Sequence, residues 1–414
     1  MRQVGAARIQ GFGTSIFTEM TRLAIKHQAV NLGQGFPDFA GPDFVKAAAA
    51  AAIDADHNQY APSHGVPRLR NAIAAMWGAT YGREIDPDGE VTVTTGATEG
   101  MLAALLALVD PGDEVILFEP FYDAYVGDIV YAGATPRYIT LQPPDWAFDR
   151  DALAAAFNAR TRAIILNTPH NPTGKVFTRD ELAFIAGLCQ RHDVIAITDE
   201  VYDRIIFDDT VHVPLATLPG MWERTLTLNS TGKTFSMTGW KIGYAIGPAA
   251  LNAALRTVHQ FSVFATATPF QEAMATAFRE AEARGYYAQL KRDYTARRDA
   301  MRAMLEGAGL PTLAAGGTFF LLADVSSLGK PDDVAACFHL IETAGVVGIP
   351  PSVFYADADR AAMLERFCFA KKPETLAAAA ERFARLSASV DTHGVSPDNR
   401  GVQSSGQGVI PDRR

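Results

Sequence analysis

Cysteine is scarce in this chain. Cys189, Cys337 and Cys368 are the three present, and none forms a C-x-x-C pair. Neither a disulfide framework nor a metal site is expected from them, and a reducing compartment fits. All three stand in apolar stretches, where the ordinary role is a small core residue. There is no excess of positive charge either. Lys and Arg number 37 against 46 Asp and Glu, a net charge of −9. That excludes a broad nucleic-acid footprint, which needs a basic face, but leaves room for a local anion pocket. Long apolar runs are missing. MLAALLALV, the most apolar, is roughly half of the ~20 residues a membrane span needs. The N-terminal MRQVGAARIQGFG lacks the apolar core of a signal peptide. The expectation is a soluble, cytoplasmic protein without membrane or nucleic-acid partners. No internal repeat is present.

What is there reads as globular. Hydrophobic residues make up 48% and charged residues 20% of 414, enough for a large α/β unit with a smaller satellite. From Glu90, strands and helices alternate. EVTVTT, EVILFE, ATPRYITL, TRAIILN, DVIAITDE, TLTLN and IGYAIG read as strands. GATEGMLAALLALVD, FYDAYVGDIVYAG and RDELAFIAGLCQRH read as helices. Short β-branched runs separated by amphipathic helices predict a mostly parallel sheet covered on both faces. Beyond Pro248 come long helical stretches, PAALNAALRTVHQF and the continuous TPFQEAMATAFREAEARGYYAQLKRDYTARRDAMRAMLEGAG. TFFLLAD, DDVAACFHLIETAG, VVGIP, RFCFA and PETLAAAAERFARLSA follow, a smaller α+β pattern. The expected division is an N-terminal arm with part of the small domain (1–45), a large domain (46–285), a small C-terminal domain (286–388) and a disordered tail (389–414) of little apolar content.

The chemistry centres on LTLNSTGKTFSMTGWKIGY and the purpose of Lys233. A phosphate-binding P-loop requires G-x-x-x-x-G-K-[ST], but the first position is Thr227, inside a strand. VIAITDE imitates the acidic strand that accompanies such loops, but the opening glycine is absent. A lysine that bonds covalently to an aldehyde cofactor is the other reading. Such a cofactor needs its phosphate fixed, its ring held flat and its pyridine nitrogen kept protonated; pyridoxal phosphate asks for all three. Candidates exist for each. TGAT, with Gly96, Ala97 and Thr98, lies where a strand gives way to a helix, and helix N-termini attract anions. Ser230 and Lys241 flank the lysine. Asp199 ends a buried strand, facing the usual ligand crevice of an open α/β sheet, and suits the pyridine nitrogen. Tyr202 and Asn171, in NTPHNPTG, suit the ring's phenolic oxygen, and Tyr122, in EPFYDAY, suits stacking. Each alone has an ordinary reading as a cap, a turn or a core residue. Their placement at successive strand ends, in chain order, points to one site.

These residues resemble a known family. NTPHNPTG, TDEVYD and STGKTFSMTGWKIGY are similar to the motifs of fold-type I pyridoxal-phosphate enzymes of the class I/II aminotransferases, from about residue 15 to 388. LGQGFPDF, NQYAPSHGVPRLR, TVHQF and RFCFAKK most resemble kynurenine and methionine (2-oxo-4-methylthiobutanoate) aminotransferases. The resemblance implies an aspartate aminotransferase-like α/β fold. It gives Lys233 as the Schiff-base lysine and Asp199 as the pyridine-nitrogen partner. Asn171 and Tyr202 match the phenolic-oxygen partners, Tyr122 the stacking ring, and Ala97, Thr98, Ser230 and Lys241 the phosphate cup. Tyr60 matches a tyrosine that reaches the phosphate from the other subunit, so a homodimer with shared sites is implied. Arg366 matches the clamp on the substrate α-carboxylate, a task suited to a planar guanidinium. Gly35 lines the same spot.

Lys241 stands where the general class I pattern has arginine, as in many kynurenine-type members. Ala265 stands where the animal kynurenine enzymes carry histidine, which argues against kynurenine as the specific substrate. Phe17, Tyr122 and Phe264, with Tyr60 from the partner, form the expected side-chain pocket. Aromatic walls suit apolar, sulfur-containing or aromatic amino acids. The implied reaction is a ping-pong transfer of an amino group to a 2-oxo acid. A cysteine-S-conjugate β-lyase and an N-succinyl-diaminopimelate aminotransferase are the alternatives within the same chemistry. Related domains also occur in transcription regulators, but the stretch before LGQG is too short for the DNA-binding domain those carry.

Overall fold

The computed structural model describes residues 5–13 and 15–391, with side chains to residue 385. The expected tail, 389–414, lies outside the described residues except for 389–391, which close the last helix, Pro373–Asp391.

The strands are β1 (Val30–Asn31), β2 (Val91–Thr95), β3 (Glu114–Glu119), β4 (Thr135–Gln142), β5 (Ala147–Phe148), β6 (Thr161–Asn167), β7 (Ile195–Asp199), β8 (Thr225–Ser230), β9 (Ile242–Ile246), β10 (Phe320–Asp324), β11 (Val346–Val347) and β12 (Leu364–Cys368). Eight form one sheet in the order β2-β9-β8-β7-β6-β3-β4-β5. The pairs β8–β7, β7–β6, β6–β3 and β3–β4 are parallel. β9 runs against both its neighbours, and β5 against β4. The sheet is therefore mostly parallel. The reversal at β9 is not visible in its sequence, because IGYAI is apolar throughout like the parallel strands beside it.

Helices cover both faces, so alternate residues of one strand enter different cores. Val115 and Leu117 of β3, Ala163 and Ile165 of β6, and Ile195 and Ile197 of β7 pack in one cluster. Ile116 and Phe118, Ile164 and Leu166, and Ala196 pack in another on the opposite face. Cys189, Cys337 and Cys368 are all buried thiols.

A second body is built on the antiparallel pair β10–β12 and the parallel pair β1–β11. Its core joins Leu32, Phe319, Val346 and Phe367. The N-terminal segment is part of it: Met20, Leu23 and Ala24 of the helix Ile16–Lys26 pack on Cys337 and Ile341. The long helical stretch expected from Thr268 to Gly309 is two helices, Thr268–Glu280 and Tyr286–Gly307. They are separated by a turn in which Gly285 has φ +64°, a left-handed backbone that glycine adopts without a Cβ clash.

Sheet direction positions the site. β2, β3, β6, β7 and β8 share one direction, so Thr95, Glu119, Asn167, Asp199 and Ser230 end on one edge. The opposed β9 begins there, and Lys241 immediately precedes it. Ligands of open α/β sheets bind outside this carboxyl edge.

Candidate active site

A cleft of about 380 Å³ opens over that edge. Phe17, Gly35, Gly96, Ala97, Thr98, Tyr122, Asn171, Asp199, Tyr202, Ser230, Lys233, Lys241 and Arg366 all line it. The strand ends thus bring together every residue expected at the site except Tyr60 and Phe264.

Lys233 sits in a single helical turn, Thr231–Thr234, that follows β8. Thr227 lies within β8, so no phosphate-cradling loop precedes the lysine. Lys233 Nζ donates one long bond of 3.3 Å to the Gly35 carbonyl. It lies 5.6 Å from the Tyr202 ring centroid and 5.2 Å from that of Phe319. Burial pushes its pKa down from 10.5 to about 8. The result is an amine that gives up its proton far more readily than a surface lysine. Gly35 leaves room for the Phe320 ring, since a Cβ there would come within 2.8 Å of Phe320 Cζ.

Asp199 is buried at the end of β7. Its Oδ2 accepts a 2.6 Å bond from the Tyr125 hydroxyl, and its Oδ1 accepts from the Val201 amide at 3.3 Å. Burial raises its pKa, and those two bonds and the Lys233 charge oppose the rise. Asn167 donates to the Asp199 carbonyl at 2.9 Å and accepts from the Asn171 amide at 2.7 Å, which joins adjacent strand ends.

Arg366, on β12, is 1% exposed. Its Nη1 donates to Asn171 Oδ1 and its Nη2 to the Gly33 carbonyl, each at 2.9 Å. Its Nε is buried with no partner among the described residues. The guanidinium lies 4.1 Å from the Phe320 ring centroid and 5.3 Å from that of Phe17, so aromatic faces take the place of counter-ions. Burial lowers its pKa to about 10. A buried cation with unspent donors is built for a planar anion such as a carboxylate.

At the other end, Gly96, Ala97 and Thr98 open the helix Gly96–Leu108. Gly96 has φ +73°, and a Cβ on it would lie 3.0 Å from Lys241 Nζ. Ser230 Oγ accepts from the Gly232 amide at 3.1 Å. Free helix N–H groups, hydroxyls and an ammonium converge as a phosphate requires. The donor set thus fits pyridoxal phosphate: an anion cup at one end, a buried carboxylate beneath, and an amine of lowered basicity between.

Two expected residues lie elsewhere. Phe264 follows the helix Ala249–Ser262, has φ +69°, and does not line the cleft. It is 47% exposed and packs edge-on against Tyr60, itself 85% exposed, with centroids 5.2 Å apart. Phe264 is therefore not a wall of its own chain's cleft. Sequence reasoning missed four groups. Tyr125 is in the first turn of the helix Asp123–Tyr131, which Tyr122 precedes as N-cap, and the two rings meet edge-on with centroids 5.6 Å apart. Asp128 is one turn further on; it is buried, its Oδ2 has no partner among the described residues, and burial raises its pKa to about 7. Gln34 and Phe320 complete the walls. Among the described residues no cluster of His, Cys, Asp or Glu is placed to hold a metal, and no helix is long and apolar enough to cross a membrane.

A model of the family "Aminotransferase class I and II" matches residues 27–383. The chain belongs to the class I and II aminotransferases. This aminotransferase is 43% identical to mouse kynurenine–oxoglutarate transaminase 3 over 405 residues, covering 91% of this chain and 89% of that one. Its structure superposes with a TM-score of 0.89 on an Escherichia coli protein with a methionine aminotransferase function, at 42% identity, over 92% of this chain and 100% of that one. N-succinyldiaminopimelate aminotransferase from Mycobacterium tuberculosis matches equally, with a TM-score of 0.89 and 44% identity over 92% and 100% of the two chains. Aspartate aminotransferase from Thermus thermophilus follows at 0.85 and 32% over 93% and 100%. The fold is thus aspartate aminotransferase-like, α/β with a mostly parallel sheet. Family and fold are those of pyridoxal-phosphate-dependent aminotransferases, which use amino acids and 2-oxo acids.

Proposed function

We propose that this aminotransferase binds pyridoxal 5′-phosphate in the cleft and moves the amino group of an apolar, sulfur-containing or aromatic L-amino acid, of the methionine or kynurenine type, to a 2-oxo acid. When bound, the cofactor supplies an electron-accepting ring that stabilises the substrate after its Cα proton leaves. The chain's residues do the rest. Gly96, Ala97, Thr98, Ser230 and Lys241 would hold the phosphate. Tyr122 would stack on the ring, and Asn171 and Tyr202 would bond its phenolic oxygen. Asp199 would keep a proton on the pyridine nitrogen, with Tyr125 fixing the carboxylate through its 2.6 Å bond. Arg366 grips the substrate α-carboxylate, which orients the Cα–H bond toward Lys233. The neutral Lys233 amine would accept that proton at Nζ and hold it as an ammonium for the return transfer. The donor leaves as its 2-oxo acid before the acceptor enters, a ping-pong order.

The observation that carries this reading is the placement of Lys233 in one cleft with Asp199 and Arg366. Substrate class is supported by the walls. The cleft's lining cations are Lys233, Lys241 and Arg366, each already assigned, while Phe17, Tyr122 and Phe320 supply aromatic surface. No lining cation is left for an acidic side chain. The exposed Tyr60–Phe264 pair supports a homodimer in which Tyr60 completes the partner's phosphate cup and Phe264 its side-chain pocket. The same reading assigns residues 46–285 to a large cofactor-holding domain and 286–388, with part of 1–45, to a small one, in the cytoplasm.

The test is the near-visible absorbance of the purified protein before and after L-methionine is added without any 2-oxo acid. A yellow band that bleaches, with release of the methionine-derived 2-oxo acid, is expected. No band after incubation with pyridoxal 5′-phosphate would refute the cofactor assignment. A band that methionine and kynurenine both leave intact would refute the substrate class.

A further inference from the structure

His259, in the TVHQF stretch, stands outside the cleft but behind the phosphate cup. Its side chain is fully buried. Nδ1 lies 3.0 Å from Glu99 Oε1, and Nε2 lies 2.8 Å from the Ser63 carbonyl oxygen. A carboxylate and a carbonyl only accept, so both contacts are hydrogen bonds only if both ring nitrogens carry hydrogen. Glu99 stands in the first turn of the helix Gly96–Leu108, and its Oε2 accepts from the Thr95 amide at 3.0 Å. An unbalanced carboxylate there would oppose an anion at the same helix end. Ser63 lies three residues after Tyr60.

We infer that His259 acts as a doubly protonated positioning residue, cancelling the Glu99 charge behind the phosphate cup and tying the Tyr60–Ser63 segment to the helix that forms it. This rests on the assignment of that helix end to the cofactor phosphate. Burial pulls the His259 pKa down, the Glu99 bond and charge and the Ser63 carbonyl push it up, and the net shift is upward. The other charged groups of the junction are His64, Arg70, Arg256 and Asp88. Arg70 is bonded to Asp88 and to the Gly65 and Pro87 carbonyls. Arg256 is bonded to Thr92 and the Val91 carbonyl. Glu99 is thus left to His259. With its folded pKa above the ordinary value, the clamp is whole below about pH 6.5 and is lost as pH rises through the folded pKa.

The test pairs two measurements on the full chain. Ring 15N NMR of histidine-labelled protein, with the His259 signal assigned by its loss in His259→Gln, reads the protonation state. Titration of the cofactor-free protein with pyridoxal 5′-phosphate reads the cup. An imidazolium near pH 7 is expected, with binding about tenfold tighter in wild type than in His259→Gln near pH 6.5 and a narrowing ratio toward pH 9. A neutral ring near pH 7, or a ratio that does not change with pH, overturns the inference. Glu99→Gln guards against a misfolded His259 variant: it should lower the pH at which His259 loses its second proton, and no movement counts against the clamp. Failure of wild type to take up pyridoxal 5′-phosphate at any pH, with His259 an imidazolium, would overturn the cofactor assignment and this inference with it.

Discussion

Lys233 is where folding and chemistry conflict most directly, and the conflict is measurable. In the unfolded chain its amine has the ordinary pKa of 10.5; in the cleft, burial brings it to about 8. Cys368 and Asp199 pull it upward, and Arg366 and Lys241 push it down. The unfolded chain therefore holds this proton more tightly than the folded one. Below about pH 8 the penalty is fully present; it is relieved as pH climbs toward 10.5, where both states carry a neutral amine. At 1.36 kcal/mol per pH unit the interval corresponds to about 3 kcal/mol. Solvent reaches the cleft and screens part of this, which leaves roughly 1–2 kcal/mol. Lys233→Met keeps the unbranched shape and removes the charge. In the cofactor-free protein, Lys233→Met should melt about 1–4 °C above wild type near pH 7, with the gap closing toward pH 10. Differential scanning fluorimetry across that range is sufficient. Equal melting near pH 7, or a gap of constant size, would refute the reasoning, because a constant gap reports packing and not the proton.

Three further outcomes are expected. Arg366→Lys loses the planar fork and the orphan Nε donor, so KM for both the amino acid and the 2-oxo acid should rise about 100-fold with the cofactor absorbance unchanged, read by steady-state kinetics. Tyr125→Phe removes the 2.6 Å bond to Asp199 Oδ2. That bond holds the Asp199 pKa down, so the acid limb of the kcat/KM profile should move to higher pH by about one unit. Asp128 has its pKa raised from 3.8 to about 7 by burial, so the folded state loses stability as pH rises through that window. Asp128→Asn should therefore gain on wild type between those pH values, by roughly 1–3 kcal/mol in thermal melts compared at the two ends.

The parts of the site that were legible in the sequence share a physical cause. A residue that ends a buried parallel strand has its position fixed by the sheet, so Asp199 and Ser230 could be placed on one edge from the apolar runs before them. Residues whose role depends on a helix face or on long-range pairing were not legible. Tyr125 and Asp128 read as ordinary members of an amphipathic helix until that helix is set against Asp199 and the cleft. Glu99 and His259 are 160 residues apart, and nothing local marks them as partners. The break after Glu280 was hidden because helical periodicity continues across it. The groups that escaped notice are largely those that tune the visible ones. Tyr125 is bonded to Asp199, and His259 to Glu99 in the first turn of the helix Gly96–Leu108. The motif residues supply functional groups, and Tyr125 opposes the rise that burial imposes on the Asp199 pKa. A chain could thus keep every motif and still lose its reaction through one helix-face substitution. That makes Tyr125 and His259 more informative targets than Lys233 for asking how this cleft controls its own charge.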